Sequence, residues 1–366
     1  MADKKILVIC PYPEDVAPSQ RLKFEQYYPH FREAGFQVDV SPFISKGFFS
    51  VIYKKGFLFQ KIGYTIAGYL RRIGDLFRLH RYDVVYLHLW ATPFGPPVFE
   101  WLIRKLARRV VYDIDDLVYL KNVDSKAHPI VTIIKGRRKP IYLMKAADHV
   151  ITCTPYLDEF VKRFNQNTTD ISSTVDTDER YLPLPQVSKQ KLTLGWSGSL
   201  STSKYFYLLE NVLKRLKKKF DFDILVIGDA GVSIAGLDIE AINWKEETEI
   251  ENLKKIDIGL YPLPEEEWVL GKSGLKAIQY MALGIPTVAT GIGANFRVVD
   301  HGVSGFLVKT EDEWVEALSK LLEDETLRHA MGREARKKVD REFSIRENKL
   351  KYLQVLQRLS SRESSF

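Results

Sequence analysis

Cysteine is scarce in this sequence, and its two cysteines, Cys10 and Cys153, lie far apart along the chain. Their spacing fits no metal-binding or redox motif. Each lies in an apolar run, which is typical of a small buried side chain. The sequence therefore predicts no cysteine-ligated metal, and a reducing cytoplasm suits it.

A hydrophobic run long enough to cross a membrane is also missing. The longest stretch without a charge, 277–296, is interrupted by Gly284, Pro286 and two further glycines, so it indicates a helix, a turn and a strand. Charged residues lead directly into the first apolar run, so we expect no secretory signal. We therefore expect a cytoplasmic protein that is not integral to a membrane.

Acidic residues are fewer than basic residues in the first half of the chain only. Residues 1–190 hold 28 Lys and Arg against 20 Asp and Glu, whereas residues 191–366 hold 26 against 27. The net charges are thus +8 and −1, which sum to the +7 of the whole chain. The positive excess predicts an anionic partner for the first half.

Short apolar runs alternate with helical patterns along the whole chain, which predicts parallel sheets covered by helices on both faces. The chain is longer than one core usually organises, and the pattern restarts near residue 190. We therefore predict an α/β protein with two Rossmann-like, doubly wound domains that face a cleft. The predicted divisions are 1–185, 186–342 and a terminal helix with tail, 343–366, packing back on the first domain. The predicted strands are 6–10, 37–41, 84–88, 110–113, 150–153, 192–196, 224–227, 241–243, 258–261, 286–289 and 305–308.

Two loops of the second half have the composition of anion-binding helix starts. The first, 195–204, is rich in glycine and serine and ends at Lys204. The second, 271–275, holds Lys272 between two glycines and opens an apolar helix. Backbone N–H groups at a helix N-terminus favour anions. Two such starts in one domain predict a diphosphate site, and we expect Gln279 to face a hydroxyl-bearing neighbour.

The same region resembles the donor site of retaining glycosyltransferase family 4, whose fold is GT-B. The run QYMALGIPTVAT and the following GANFRVVDHGVSGFLV are the most specific part of a resemblance that covers nearly the whole chain. It implies a hexosyltransferase that moves a sugar from a nucleotide-diphosphate sugar to a hydroxyl of a glycan or lipid-linked acceptor, with retention. It further implies a role in polysaccharide biosynthesis, no cofactor beyond the donor and no metal.

The resemblance also implies roles for individual residues. The second domain would bind the donor and the first the acceptor. Ser199 stands where the family usually has arginine, Gln279 where it has a glutamate that binds ribose, and Asp115 where it has the active-site histidine. The implied donor-binding residues are Gly198, Ser199, Lys204, Lys272, Ser273, Gly274, Leu275, Gln279, Asn243 and Trp244. Two other functions stay open: a catalytically silent module that binds nucleotide or glycan, and a sugar-nucleotide epimerase.

Carboxylates cluster at the end of a predicted strand in the first domain. Asp113, Asp115 and Asp116 repel one another at this spacing, so they need a cation, a basic partner or water. Asp115 is the candidate base or positioning group for an acceptor hydroxyl, with Asp113 beside the acceptor. Asp116 is a second catalytic candidate, and it also suits a helix cap. A divalent metal on these carboxylates is the rival interpretation.

Two basic residues of the first domain complete the candidate set. His88 ends a neighbouring strand, so it is either a third catalytic group or a structural histidine. Arg21 opens the first helix and either contacts the acceptor or pairs with Glu25, four residues on.

Residues 46–82 combine eight Lys and Arg with nine Phe and Tyr and a single acid, Asp75. This composition is typical of a surface that contacts anionic lipid, with aromatic rings in the headgroup layer. It also suits a helix pair that packs on the core and has a solvated basic side. No motif of a nucleic-acid reader is present, so we expect no nucleic-acid partner. The membrane hypothesis places the protein at the inner face of the cell membrane. Its predicted contacts are Phe48, Phe49, Phe57, Phe59, Tyr64, Tyr69, Lys54, Lys55, Lys61, Arg71 and Arg72.

Overall fold

The computed structural model of the chain describes residues 4–118, 138–183, 185 and 187–361. It contains two compact units, one formed by Met1–Ser172 with Asn348–Phe366 and the other by Ser173–Glu347. The boundaries at 185/186 and 342/343 that the sequence suggests stay a prediction about the folding domains.

The first unit is a parallel sheet with the strand order β2-β1-β3-β4-β5-β6. Its central strands are apolar and buried along their length, as expected for a sheet covered on both faces. The strands are β1 (Lys4–Cys10), β2 (Phe36–Pro42), β3 (Val84–His88), β4 (Val110–Asp113), β5 (His149–Thr152) and β6 (Thr168–Asp170). The helices up to β6 are α1 (Pro18–Arg21), α2 (Tyr28–Glu33), α3 (Lys46–Ile52), α4 (Leu58–Arg78), α5 (Val98–Leu106), α6 (Arg138–Ala146) and α7 (Pro155–Lys162).

The second unit repeats this plan with the strand order β12-β11-β10-β7-β8-β9, again parallel throughout. Its strands are β7 (Leu192–Ser197), β8 (Phe222–Ile227), β9 (Glu240–Ile242), β10 (Ile258–Tyr261), β11 (Thr287–Thr290) and β12 (Gly305–Val308). Its helices are α8 (Glu210–Lys217), α9 (Glu249–Leu253), α10 (Leu275–Ala282), α11 (Asn295–Val298), α12 (Glu311–Glu323) and α13 (Glu325–Glu342). The last helix, α14 (Ile345–Ser360), begins in this unit and continues into the first.

The structure confirms the predicted fold class, with two differences in detail. The edge strand β6 was not predicted, because its three residues Thr-Thr-Asp are polar and only half-buried. The helix expected directly after β7 begins as a 3-10 helix, Ser203–Leu209, before α8.

The segment 46–82 forms α3 and α4, and its aromatic residues do not all face solvent. Phe48 is buried, while Tyr64 and Tyr69 pack in a small cluster around Phe43. Arg72 is fully buried and bonds the carbonyl oxygens of Cys10 and Ala91. Phe48 and Arg72 are therefore not available to lipid, and the prediction is wrong for these two side chains, whereas lipid contact by the half-buried Tyr64 and Tyr69 stays a prediction. A side chain's identity does not fix which face of a helix it occupies, and here packing on the sheet decides.

Candidate functional site

The crossover of the second sheet defines its ligand-binding edge. Strand β7 pairs with β8 on one side and with β10 on the other, so the chain leaves β7 in one direction and returns on the opposite side of it. In doubly wound sheets, ligands bind beyond the carboxyl ends of the strands at this point. The loops that follow β7 and β10 are the two loops singled out in the sequence.

The loop after β7 is built for a close approach of backbone groups. A Cβ on Gly198 would lie 2.2 Å from the Trp196 ring, and a Cβ on Gly228 would lie 2.3 Å from the Gly198 carbonyl oxygen. The hydroxyl of Ser203 donates to Asp229, which anchors the loop to the end of β8. Ser199 is exposed and hydrogen bonds with Ser201 and Thr202, so an anion has access to this loop.

The loop after β10 ends in an uncapped helix start. Gly274, the N-cap residue of α10, adopts φ +78° and has no side chain with which to cap the first turn. A Cβ at Gly274 would lie 2.8 Å from Val298, so only glycine fits there without rearrangement. Leu275, the first residue of α10, is half-buried, and Ser273 hydrogen bonds with Ser173 at 2.8 Å. The N–H groups of this turn supply the positive end of the helix dipole.

An aromatic pair joins the two loops. The rings of Tyr205 and Trp268 stack with centroids 5.5 Å apart. The Lys204 ammonium lies 5.2 Å from the Tyr205 ring, and that of Lys272 lies 5.1 Å from the Trp268 ring. Each lysine is therefore held by a cation–π contact in the same neighbourhood, where both can face one anion. Both lysines were predicted from their loops, whereas the aromatic pair was not, because Tyr205 and Trp268 lie 63 positions apart and meet only in the fold.

Gln279 does not face an open site in this structure. It is fully buried, and its amide nitrogen donates to Tyr181 at 2.6 Å and to Glu249 at 3.2 Å. Its amide oxygen accepts from Lys276 at 2.9 Å. Direct binding of a ribose by Gln279 thus requires these bonds to be exchanged. Glu249 is buried but was not predicted as a site residue. It lies in a run rich in glutamate, and such runs are usually exposed.

Asn243 and Trp244 follow the edge strand β9. The exposed Asn243 accepts a hydrogen bond from the Ala230 backbone, which ties it to the loop after β8. Trp244 is half-buried and donates to Glu249 at 3.1 Å. Both residues therefore lie on loops of the same edge, and Trp244 also serves the core of the unit.

In the first unit, the carboxylate of Asp113 is paired internally. Lys23, a residue that the sequence did not single out, lies 3.3 Å from Asp113, and both side chains are almost fully buried. The Tyr86 hydroxyl donates to the other carboxylate oxygen. Burial alone would raise the pKa of Asp113, but Lys23, His88 and Tyr86 hold it below its usual range. Asp113 is therefore not accessible to an acceptor in this structure, and Lys23 supplies the cation that the cluster needs.

His88 and Asp115 lie next to this ion pair. His88 is fully buried, 3.7 Å from Asp113 and 3.9 Å from Asp115. Its ring nitrogens have no hydrogen-bond partner within the part of the chain that the structure describes. Asp115 is partly exposed, and burial raises its pKa, the direction that suits a proton acceptor near neutral pH. Of the two, only Asp115 reaches the surface.

Asp116 and Arg21 occupy the same end of the sheet. Asp116 is half-buried and accepts a hydrogen bond from the Leu117 backbone. The helix that we expected it to cap falls outside the described residues from 119 onward. Arg21 ends α1 and is almost fully buried. Glu25, its predicted partner, accepts instead from the side chain of Gln20 and the backbone of Asp15.

Among the residues that the structure describes, no group of three or more His, Cys, Asp or Glu side chains has an arrangement that could hold a metal ion.

Comparison with known proteins finds a family model that matches most of the second unit. Residues 191–324 match the family model described as glycosyl transferases group 1. D-inositol 3-phosphate glycosyltransferase of Corynebacterium diphtheriae is 26% identical over 287 residues, which cover 69% of this chain and 65% of that protein. The capsular polysaccharide biosynthesis glycosyltransferase CapM of Staphylococcus aureus is 34% identical over 73 residues, 19% of each chain. The chain thus spans less than two thirds of the length of these curated relatives.

Solved structures show the fold over the whole chain. A glycosyltransferase from Rickettsia africae has a TM-score of 0.72 at 15% identity, covering 99% of this chain and 100% of that one. HepE of Anabaena, solved with UDP and glucose, has a TM-score of 0.69 at 15% identity and covers 97% and 100%. At this identity the likeness concerns the fold alone. Residues 191–324 are therefore a glycosyl transferases group 1 domain, carried by a chain with the GT-B fold.

Proposed function

We propose that this protein transfers a sugar from a nucleotide-diphosphate sugar to a hydroxyl of a glycan or lipid-linked acceptor, with retained configuration. The observation that carries the proposal is the pairing of the β7 and β10 loops at the crossover of the second sheet. There the uncapped start of α10, Lys204 and Lys272 collect positive charge at one edge. The group 1 family match over the same residues supports it.

The chemistry follows from where the charge develops. The bond between the anomeric carbon and the phosphate oxygen breaks, and its electron pair leaves with the nucleoside diphosphate. The acceptor oxygen bonds to the anomeric carbon, and its proton passes to a base, for which Asp115 is our candidate. Lys204, Lys272 and the N–H groups of α10 stabilise the negative charge of the leaving group. Because these groups neutralise the diphosphate without a metal ion, we expect transfer to continue in the presence of EDTA.

The remaining candidate residues take supporting roles in this proposal. Gly198, Ser199, Ser273, Gly274 and Leu275 present backbone and hydroxyl groups to the diphosphate. Asn243 and Trp244 border the base, and the cluster around Gln279 borders the ribose. In the first unit, His88 lies between Asp113 and Asp115, and Arg21 and Asp116 are candidate contacts of the acceptor at the same end of the sheet.

Nucleotide binding can be tested before the acceptor is known. We expect one of UDP, GDP, dTDP, CDP and ADP to raise the melting temperature, since a ligand at a hundred times its Kd stabilises by about 2.7 kcal/mol. Lys204→Ala and Lys272→Ala should each weaken affinity by about tenfold or more, because each removes a charge-assisted contact. Lys218→Ala, at an exposed lysine after α8, is the matched control and should leave the shift unchanged.

The alternatives separate in a second assay. A transferase releases nucleoside diphosphate only when an acceptor is present, and Asp115→Asn should slow that release by about a hundredfold. An epimerase converts the sugar nucleotide without releasing the diphosphate. A silent module binds nucleotide and releases nothing, so either outcome would refute the transferase.

We also propose that the first unit brings the enzyme to an anionic membrane surface on the cytoplasmic side. The net charge of +8 in residues 1–190 and the basic segment 46–82 support this location. Among the described helices, none has both the length and the apolar composition that a membrane span requires.

A further inference from the structure

Helix α4 carries its apolar residues on the side opposite to its packed face. Six large apolar side chains recur every three or four residues along it and are between 42% and 86% exposed. This spacing places them on one face of the helix. We call them the α4 stripe: Phe59, Ile62, Ile66, Leu70, Ile73 and Phe77.

The packed face of α4 combines the aromatic rings of Tyr64 and Tyr69 with a closely packed glycine and a buried polar cluster. Gly68 lies so close to the Phe43 ring that a Cβ there would be 2.7 Å from it. Arg72 and Asp75 are buried and joined by a salt bridge of 2.8 Å, and Ser41 bonds to both. The polar groups that attach α4 to the sheet are thus satisfied inside the unit. The α4 stripe takes no part in this packing and faces outward.

Exposed apolar side chains in a row need a partner, because contiguous apolar patches of this kind mark interaction surfaces. The charges around the stripe indicate which partner. Asp75 is the one acid of 46–82, and it is 2% exposed and paired with Arg72 and Arg78. The accessible charges of the segment are therefore all positive, with Lys54 and Lys55 exposed just before α4.

We propose that α4 lies in the plane of an anionic bilayer and inserts the α4 stripe between the lipid headgroups. With a rise of about 1.5 Å per residue, the stripe extends for about 27 Å, and such helices insert about 5–10 Å deep. The flanking lysines contact the lipid phosphates. A second copy of the chain is a poorer occupant, since it would set the same cationic surface against itself.

The α4 stripe would hold the proposed transferase at the membrane where a lipid-linked acceptor lies. Membrane binding itself does not depend on the proposed function; only its use does. This assignment replaces the aromatic contacts expected from sequence with a largely aliphatic stripe. Phe59, which is exposed, is the aromatic residue that the two assignments share.

Vesicle co-sedimentation of the full chain tests the stripe. We expect binding to phosphatidylcholine vesicles that contain phosphatidylglycerol, less binding in high salt, and little binding to phosphatidylcholine alone. Leu70→Asp should lower the partition coefficient about tenfold or more, since it places a charge where the proposed bound state inserts an apolar side chain into the bilayer. Leu350→Asp is the matched control, because Leu350 is 58% exposed and Leu70 is 61% exposed. Lys54→Ala and Lys55→Ala should each cost about fivefold.

Insertion itself can be read from a fluorescent label. Cys10 and Cys153 are fully buried, and burial raises the pKa of both thiols, so an engineered surface cysteine reacts selectively. A polarity-sensitive dye at Ile66→Cys should shift to the blue on anionic vesicles, whereas the dye at Glu323→Cys should not. Equal responses at the two sites, or equal binding by Leu70→Asp and wild type, would overturn the inference.

Two further measurements distinguish a membrane surface from a dimer interface, and a failure of this inference from a failure of the proposed function. If Leu70→Asp abolishes self-association in size-exclusion chromatography and leaves vesicle binding unchanged, the stripe is a dimer interface and the inference is wrong. The nucleotide-induced thermal shift should be the same in wild type and Leu70→Asp. Loss of vesicle binding with the shift intact concerns the membrane surface alone, whereas absence of the shift in wild type concerns the transferase alone.

Discussion

Single glycines decide whether backbone groups can reach a ligand at the second unit. Gly274 combines a left-handed backbone with a crowded Cβ direction, whereas Gly35, at φ +85°, has nothing within 4 Å of its Cβ direction. A side chain at Gly35 would meet backbone strain alone, whereas one at Gly274 would meet both backbone strain and a clash. Comparing the two positions therefore separates these two contributions to the free energy of unfolding in the absence of a ligand.

We predict that Gly274→Ala destabilises the protein more than Gly35→Ala and also removes the nucleotide-induced thermal shift. The left-handed backbone costs an alanine about 1–2 kcal/mol at either site, and the 2.8 Å approach to Val298 adds to this at Gly274. Urea unfolding and the thermal shift measure the two effects. A Gly274→Ala variant that keeps a full nucleotide response would show that this helix start is not part of the site.

Individual residues also show how far the sequence could be interpreted. Lys204 and Lys272 were recognisable, because loops rich in glycine and serine followed predicted strands. Lys23 was not, because its role depends on Asp113, which is 90 positions away and meets it only in the folded sheet. Gln279 was placed on the correct helix, but its bonds to Tyr181 and Glu249 join segments whose proximity no local pattern encodes.

At the scale of elements, His149 attaches the last helix to the first sheet. It lies on β5, accepts a hydrogen bond from Arg358 of α14 at 2.7 Å, and contacts Thr169 of β6 at 2.9 Å. Burial, and then the charge of Arg358, lower the pKa of His149 to about 4. Between about pH 4 and pH 6.5, this imidazole is therefore neutral in the folded chain and protonated in the unfolded chain.

We predict an acid-sensitive attachment of α14. Because the folded-state pKa lies below the unfolded value of about 6.5, the stability contribution is complete above that pH and is lost as the pH falls toward 4. The loss approaches about 3 kcal/mol, at 1.36 kcal/mol per pKa unit. Hydrogen exchange of 350–360 should rise over this range in wild type and change less in His149→Gln. Parallel curves for the two proteins would contradict the assignment.

Elements were also where sequence and structure agreed most. Every apolar run that we predicted as a strand lies in one of the two sheets, because four to six consecutive apolar residues can be buried only between two layers of helices. The phase of α4 was not predictable in the same way. Its contacts with the sheet through Gly68, Arg72 and Asp75 decide which residues point outward, and these contacts form only in the folded unit.

For the whole molecule, the boundaries of the second unit can be tested directly. Val175, Tyr181 and Phe343 are buried in its core, yet all three fall outside 186–342. Arg336 of α13 bonds the backbone oxygens of Thr177 and Tyr181, which binds the entering segment to the rest of the unit. The segment before residue 186 therefore belongs to the packing of this unit.

We predict that a fragment of residues 173–347 folds cooperatively and binds the same nucleoside diphosphate as the full chain. The fragment 186–342 should be less stable by several kcal/mol, since losing one large buried side chain costs about 2–5 kcal/mol. Circular dichroism melts with and without nucleotide would compare them. Equal stability of the two fragments would favour the boundaries suggested by the sequence.

The first unit is assembled from residues 1–172 and 348–366, and this affects the order in which the two units can fold during synthesis. Tyr352 lies under the N-terminal segment, where its hydroxyl donates to the Lys23 carbonyl oxygen and its ring packs 4.6 Å from that of Tyr27. A ribosome therefore delivers every residue of the second unit, up to Glu347, before it delivers the last helix of the first. Domains tend to fold as units while synthesis proceeds at about 5–20 residues per second. The second unit along the chain is thus the first that can complete its core, and the first unit must wait until α14 has been synthesised.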